Sequence, residues 1–244
     1  LDMLAPRYAW AEQIAPTDAR ITTGYVEYES PNGHGRIRGY LTRPAGASGK
    51  IPAVVVVHEN RGLNPHTEDV ARRFALANFM AFAPDVLTSV GGYPGDDYQG
   101  GQLFRGIDND KKFEDILASA LWLKNRADCS GKIGVTGFCY GGSVSNQLAV
   151  RLGEDLAAAV PFYGGAPAAA DVPKFKAAIL AQHGALDTRL AEAWPAYDEA
   201  LTAANIPHEG HLYPNSVHGF FNDATPERYN EGTATEAWTR TLDW

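Results

Sequence analysis

The 244-residue chain carries 21 Lys and Arg against 29 Asp and Glu, a formal net charge of −8, and 45% of it is apolar. That balance suits a single well-buried globular domain and excludes a fibre, a disordered chain and the basic surface that nucleic-acid binding requires. The longest strongly apolar stretch, Ala53 to Val57, falls far short of the roughly 18 residues that cross a bilayer, so no membrane span is expected.

Residues 1–20 read as an N-terminal arm, or as the remnant of an export signal, ahead of one domain over 21–244. Tyr8-Ala9-Trp10-Ala11 has the Ala-x-Ala form of a signal-cleavage site, but the charged start and long apolar region are missing. From Ile21 to Pro44, two runs rich in Tyr, Val and Ile are split by Pro31-Asn32-Gly33-His34-Gly35, the pattern of an antiparallel hairpin at a sheet edge. Ile51 to Val57 is a continuous β-branched run, as in a parallel strand buried on both faces.

Helical periodicity over Pro65 to Asn78 precedes a short strand at Phe79 to Ala83. Thr88 to Asp110, rich in Gly and Asp, reads as one long irregular loop over the site. The series then runs helix Lys111–Arg126, strand Lys132–Thr136, helix Gly142–Leu152, strand Ala157–Phe162, strand Ala178–His183, helix Leu190–Ala204, strand Gly210–Tyr213 and helix Glu227–Leu242. This alternation predicts an α/β fold, a mostly parallel central sheet flanked by helices, whose ligands bind beyond the carboxyl ends of the strands.

The residues after those strands carry the chemistry. Gly137-Phe138-Cys139-Tyr140-Gly141-Gly142 lies between a strand and a helix, the context of a nucleophile elbow with cysteine in the serine position. The glycines relieve crowding at a strained turn, and the positive end of the following helix favours the thiolate. Cys129 lacks this setting and is expected to be inert, with no disulfide between the two.

Asp187 and then His218 follow Cys139, each just past a strand and in the order nucleophile, acid, histidine. Singly, either would more often be a surface Asp or a structural His; order and placement together make them triad candidates. His218 is expected to accept the thiol proton and Asp187 to fix its tautomer. The backbone amides of Tyr140 and Asn60 are the expected oxyanion donors. Glu59 ends a buried strand, where a charge is costly without a use, so it joins the site, with a salt bridge to Arg61 as its structural alternative. Tyr140, Tyr163, Trp194 and Phe220 suggest a partly apolar mouth. His208 and His211 lie three apart in a strand and point to opposite faces, so no metal is expected.

Val57-His58-Glu59-Asn60-Arg61-Gly62, Phe82-Ala83-Pro84-Asp85, Gly137 to Gly142, Asp187 and His218-Gly219-Phe220 together resemble the dienelactone hydrolase family, from about Ile21 to the C-terminus. The resemblance implies an α/β-hydrolase fold, no cofactor and a Cys-His-Asp triad that opens an unsaturated lactone. It also implies that Glu59 contacts the resting thiol and helps substrate binding to activate it. Family members that act on dienelactone hold its carboxylate with arginines, one of them four residues beyond the catalytic histidine. Here that position is Asn222, and Arg105 is the nearest candidate for a second arginine. Arg61 is read as the replacement, because a guanidinium pairs well with a carboxylate. Longer members with an export signal tilt the compartment toward the periplasm rather than the cytoplasm.

The expected activity is therefore hydrolysis of a small ester or lactone through a thioester. A broader carboxylesterase or thioesterase, or a catalytically silent small-molecule-binding protein, is the alternative. The sequence says nothing of oligomeric state.

Overall fold

The computed structural model describes residues 5–244, so the first part of the Leu1 to Ile14 segment lies outside the described residues. Two compact units are distinguished. One comprises Glu12–Ile133, and the other comprises Gly134–Trp244 with residues 5–11.

In the first unit, β1 (Ile21–Ser30) and β2 (Gly35–Pro44) form the expected hairpin, in register from Ile21 opposite Pro44 to Ser30 opposite Gly35. β1 is an edge strand; β2 pairs antiparallel with β4 (Met80–Pro84), and β4 pairs parallel with β3 (Ile51–Val57). Ala53 to Val57 and all of β4 are buried. Burying such side chains stabilises the unit by roughly 1.5–3 kcal/mol per large residue.

The helix α2 (Pro65–Leu76) starts where the sequence predicts, with proline in its first turn and the Asn64 side chain accepting from the Thr67 amide. It packs on β2 and β4, while α4 (Asn109–Lys124), capped by Asp108, covers β1 and β3. The stretch expected as one irregular loop differs: a single 3-10 turn at Thr88–Val90 is followed by α3 (Asp97–Gly106). Asp96 starts this helix by accepting the Gln99 amide at 2.8 Å. Gly100, Gly101 and Gly106 lower its intrinsic propensity, which is why the pattern read as loop.

The second unit begins inside β5 (Cys129–Phe138) and continues as α5 (Tyr140–Leu152), β6 (Ala158–Phe162), β7 (Ala178–Gly184), α6 (Thr188–Ala203), β8 (His208–Tyr213) and α7 (Glu231–Asp243). Its strands run parallel in the order β5-β6-β7-β8, with Phe138 opposite Phe162 and Gly184 opposite Tyr213. The expected elements are all present; β5 extends three residues earlier, and α7 starts later because Asn230 caps it. At the start of this unit, α1 (Tyr8–Ala11) is a single helical turn, and the Arg7 amide donates to Ala224. No helix among the described residues is long and apolar enough to cross a membrane.

Candidate active site

Cys139, Tyr163, Asp187 and His218, all singled out from the sequence, lie at or shortly beyond the carboxyl ends of the strands of the second unit. Cys139 follows β5 with φ at 57°, a left-handed conformation that a non-glycine residue adopts at a cost of about 1–3 kcal/mol. The Cys139 amide donates to Phe162 at the end of β6, and its carbonyl accepts from Ser143 in the first turn of α5. The turn closes so tightly that a Cβ at Gly137 would stand 2.2 Å from the Gly141 carbonyl oxygen. A Cβ at Gly142 would meet the Phe162 oxygen at 2.4 Å, so the helix start is pressed onto β6. The elbow expected from the sequence is present, with Tyr140 as the first residue of α5 and Cys139 at its positive end.

Asp187 lies three residues beyond β7 and His218 five beyond β8. The loops carrying them are stitched together. The Leu186 amide donates to Ser216, the Ala185 amide donates to Tyr213, and a Cβ at Gly184 would sit 2.3 Å from the Ser216 oxygen. That packing brings His218 Nδ1 to 2.6 Å from Asp187 Oδ2. The carboxylate side chain is 9% exposed and the imidazole 32%, so the carboxylate is shielded while part of the ring reaches the surface. A carboxylate only accepts, so Nδ1 is the nitrogen that donates to Asp187.

Tyr163, directly after β6, also has positive φ, 37°, and its ring lies 5.0 Å from that of His218. Phe220 is fully buried and packs against Tyr163, Phe162 and Tyr213. It supports the histidine loop from beneath rather than presenting its own ring at a mouth. Trp194 stands on α6 beside the buried His183. Asn222 is buried too, and its side chain accepts from the Ala224 amide. This position therefore caps a turn.

One cation near His218 was not singled out from the sequence. Arg228 lays its guanidinium against Gly219, whose φ is +86°; Nη1 stands 3.2 Å from where a Cβ would be. Its buried Nε has no hydrogen-bond partner among the described residues. Nothing local marks this arginine, ten residues beyond the histidine in an irregular segment, so its placement depends on the left-handed turn at Gly219.

In the first unit, His58, Glu59, Asn60 and Arg61 follow β3. His58 is fully buried, with Nδ1 2.5 Å from the Glu59 carbonyl and the Val86 amide donating to Nε2 at 3.4 Å. Glu59 and Arg61 are half-buried and Asn60 is exposed. Arg61 forms no ion pair with Glu59, or with any other described residue; it runs along the glycines of α3 instead. A Cβ at Gly100 would meet the Arg61 carbonyl oxygen at 2.2 Å, and one at Gly101 would meet its Nη1 at 2.2 Å. Arg105 is exposed in the last turn of the same helix.

Cys129 is buried at the opposite end of β5 from Cys139, roughly 30 Å of extended strand away, and neither forms a disulfide. His208 bonds to Asp198 of α6, and His211 bonds to Glu209 of its own strand.

Known proteins resemble this chain over most of its length. Residues 37–244 match the sequence profile of the dienelactone hydrolase family. A Salmonella typhimurium protein provisionally named a carboxymethylenebutenolidase is 30% identical over 96% of this chain and 92% of its own length. An Escherichia coli protein provisionally named the hydrolase fragment YghX is 61% identical over 44% of this chain and 92% of its own length. Among solved structures, a provisionally named dienelactone hydrolase from Klebsiella pneumoniae is 27% identical and superposes with a TM-score of 0.76, covering 91% of this chain and 98% of that one. Brefeldin A esterase, a bacterial enzyme, is 15% identical with a TM-score of 0.69 over 96% of this chain and 79% of its own, a likeness of fold alone.

Proposed function

Because this chain belongs to the dienelactone hydrolase family, with the α/β-hydrolase fold and the ester- or lactone-cleaving activity of that family, we propose that Cys139, His218 and Asp187 form its catalytic triad. The observation that carries the reading is the strained Cys139 at the start of α5, in the same unit as a histidine whose Nδ1 is engaged by a shielded carboxylate.

His218 Nε2 takes the thiol proton, and the thiolate attacks the carbonyl carbon. The developing oxyanion is held by backbone amides, that of Tyr140 and, on sequence grounds, that of Asn60. As the C–O bond breaks, His218 returns its proton to the leaving alkoxide, and a thioester remains on Cys139. In a lactone that alcohol stays tethered to the acyl group. Water, deprotonated by His218, then opens the thioester; the proton passes back to the sulfur and the carboxylic acid leaves. Glu59 keeps the proposed role of helping to activate the thiol.

The substrate favoured is a small ester or lactone bearing an acidic group. Arg61 and Arg228 support this finer reading, since neither has an acidic partner among the described residues and both sit in glycine-lined settings. Tyr163, expected to help line the mouth, is fully buried; its ring packs beside His218 and backs the imidazole instead of facing a substrate.

The test is turnover of a chromogenic short-chain ester, a thioester and a dienelactone by wild type and Cys139→Ala, with intact-mass detection of acyl-enzyme. Turnover lost in the variant, with an adduct on Cys139, supports the triad and ranks the substrate classes. Turnover that survives Cys139→Ala removes it.

A further inference from the structure

The mechanism above assigns nothing to His58, although its imidazole is fully buried at the carboxyl end of β3. Its two nitrogens face groups of opposite kind. The Glu59 carbonyl, 2.5 Å from Nδ1, can only accept a hydrogen bond, and the Val86 amide, 3.4 Å from Nε2, can only donate one. A single tautomer satisfies both, the neutral ring with its proton on Nδ1. Burial holds the ring below the ordinary histidine pKa range, and Asp85 and the Glu59 carbonyl only partly oppose that. Lys112 reinforces the neutral form, and the Phe104 ring closes the far side edge-on.

The clamp joins two loops. The Glu59 carbonyl opens the turn that leads through Asn60 and Arg61 to Gly62, while Val86 lies just past β4. Asp85 staples the same loops, accepting from Leu87 at 3.0 Å, Tyr93 at 2.9 Å and Leu63 at 3.4 Å. Gly62, at φ +90°, presses on the Leu87 side chain, so the turn has little freedom to relax another way.

We propose that His58 is a positioning residue, a neutral Nδ1–H imidazole that fixes the turn from Glu59 to Gly62 by fastening its first carbonyl to the loop after β4. This rests on the hydrolase reading, in which the Asn60 amide and the Glu59 carboxylate act from that turn. A turn whose carbonyl is unanchored misdirects the next amide, so the loss falls on the transition state and spares substrate binding.

The experiment compares wild type, His58→Phe and His58→Gln on a neutral chromogenic ester, with kcat expressed per acylatable Cys139 and KM measured separately. His58→Phe is expected to lose about a hundredfold in kcat with KM within about threefold, as for removal of an oxyanion donor. His58→Gln, whose amide both donates and accepts, is expected to recover most of that loss. Unchanged kcat per acylatable thiol in the phenylalanine variant overturns the proposal, and so does a glutamine variant no better than phenylalanine. If the variants fail to fold, imidazole nitrogen NMR of the wild type decides it. At about pH 7 a neutral ring with its proton on Nδ1 is expected, and a proton on Nε2, or an imidazolium, overturns it. A wild type that forms no Cys139 adduct is instead the failure of the hydrolase reading, a separate readout.

Discussion

At the residue scale, Asp187 engages His218 Nδ1 at 2.6 Å, which in the neutral ring selects the tautomer whose Nε2 can accept a proton. Asp187→Asn offers an amide that no longer selects this tautomer or stabilises the imidazolium. The expected outcome in steady-state ester hydrolysis is a fall in kcat of about 10³- to 10⁴-fold with little change in KM. A loss under tenfold would take Asp187 out of the proposed triad. The arginines bear on KM instead. Arg61→Ala, and separately Arg228→Ala, is expected to raise KM for an acid-bearing ester by about ten- to a hundredfold, the range of a charge-assisted hydrogen bond, and to leave a neutral ester of equal size nearly unaffected. Equal effects on both esters would sink the acidic-substrate reading. The three proposed triad residues were legible in the sequence because each follows a strand in a fixed chain order. Arg228 was not, since its approach to Gly219 runs through an irregular segment with no periodic signal.

At the scale of elements, α3 separates two effects that a glycine can have. A Cβ added at Gly106, at the end of the helix, would meet nothing within 4 Å, whereas one at Gly100 would be 2.2 Å from the Arg61 backbone oxygen. Gly106→Ala is therefore expected to stabilise by about 0.4–1 kcal/mol through the unfolded chain. Gly100→Ala gains the same helix propensity but collides with backbone that cannot swing aside, and is expected to destabilise by about 1–3 kcal/mol. Urea unfolding of the two variants reads the difference; similar shifts for both would mean that Arg61 does not lean on α3. At the start of α2, Asn64 is a buried cap, and Asn64→Ala is expected to cost about 1 kcal/mol by the same measurement.

At the scale of the whole molecule, stability should fall on mild acidification. His183, on β7, is 3% exposed, its Nδ1 has no hydrogen-bond partner among the described residues, and burial lowers its pKa to about 4. The unfolded chain binds a proton near pH 6.5 that the folded state refuses until about pH 4. The contribution is thus fully present above about pH 6.5 and is lost as pH falls toward 4, a loss on the order of 3 kcal/mol. Burial pushes His58 in the same direction. Urea midpoints measured between pH 7 and 4.5 should drop accordingly, and His183→Phe should flatten the slope. A slope that survives the substitution would assign the acid sensitivity to other groups.

By itself the sequence determined the alternation of strands and helices, the edge hairpin, the elbow around Cys139 and the family, because these are written in short-range terms: β-branched runs, caps, and glycines flanking a nucleophile. Only the tertiary structure decided that Asp96 starts a helix in a glycine-rich stretch, that Asn222 caps a turn, and that His58 faces an acceptor on one nitrogen and a donor on the other. The first two are local contacts that the composition masked; the last depends on groups far apart in the chain, since the Val86 amide reaches His58 because β3 and β4 pair in parallel. A hydrogen bond between two loops has no local signature, since either partner taken alone is an ordinary buried histidine or an ordinary amide.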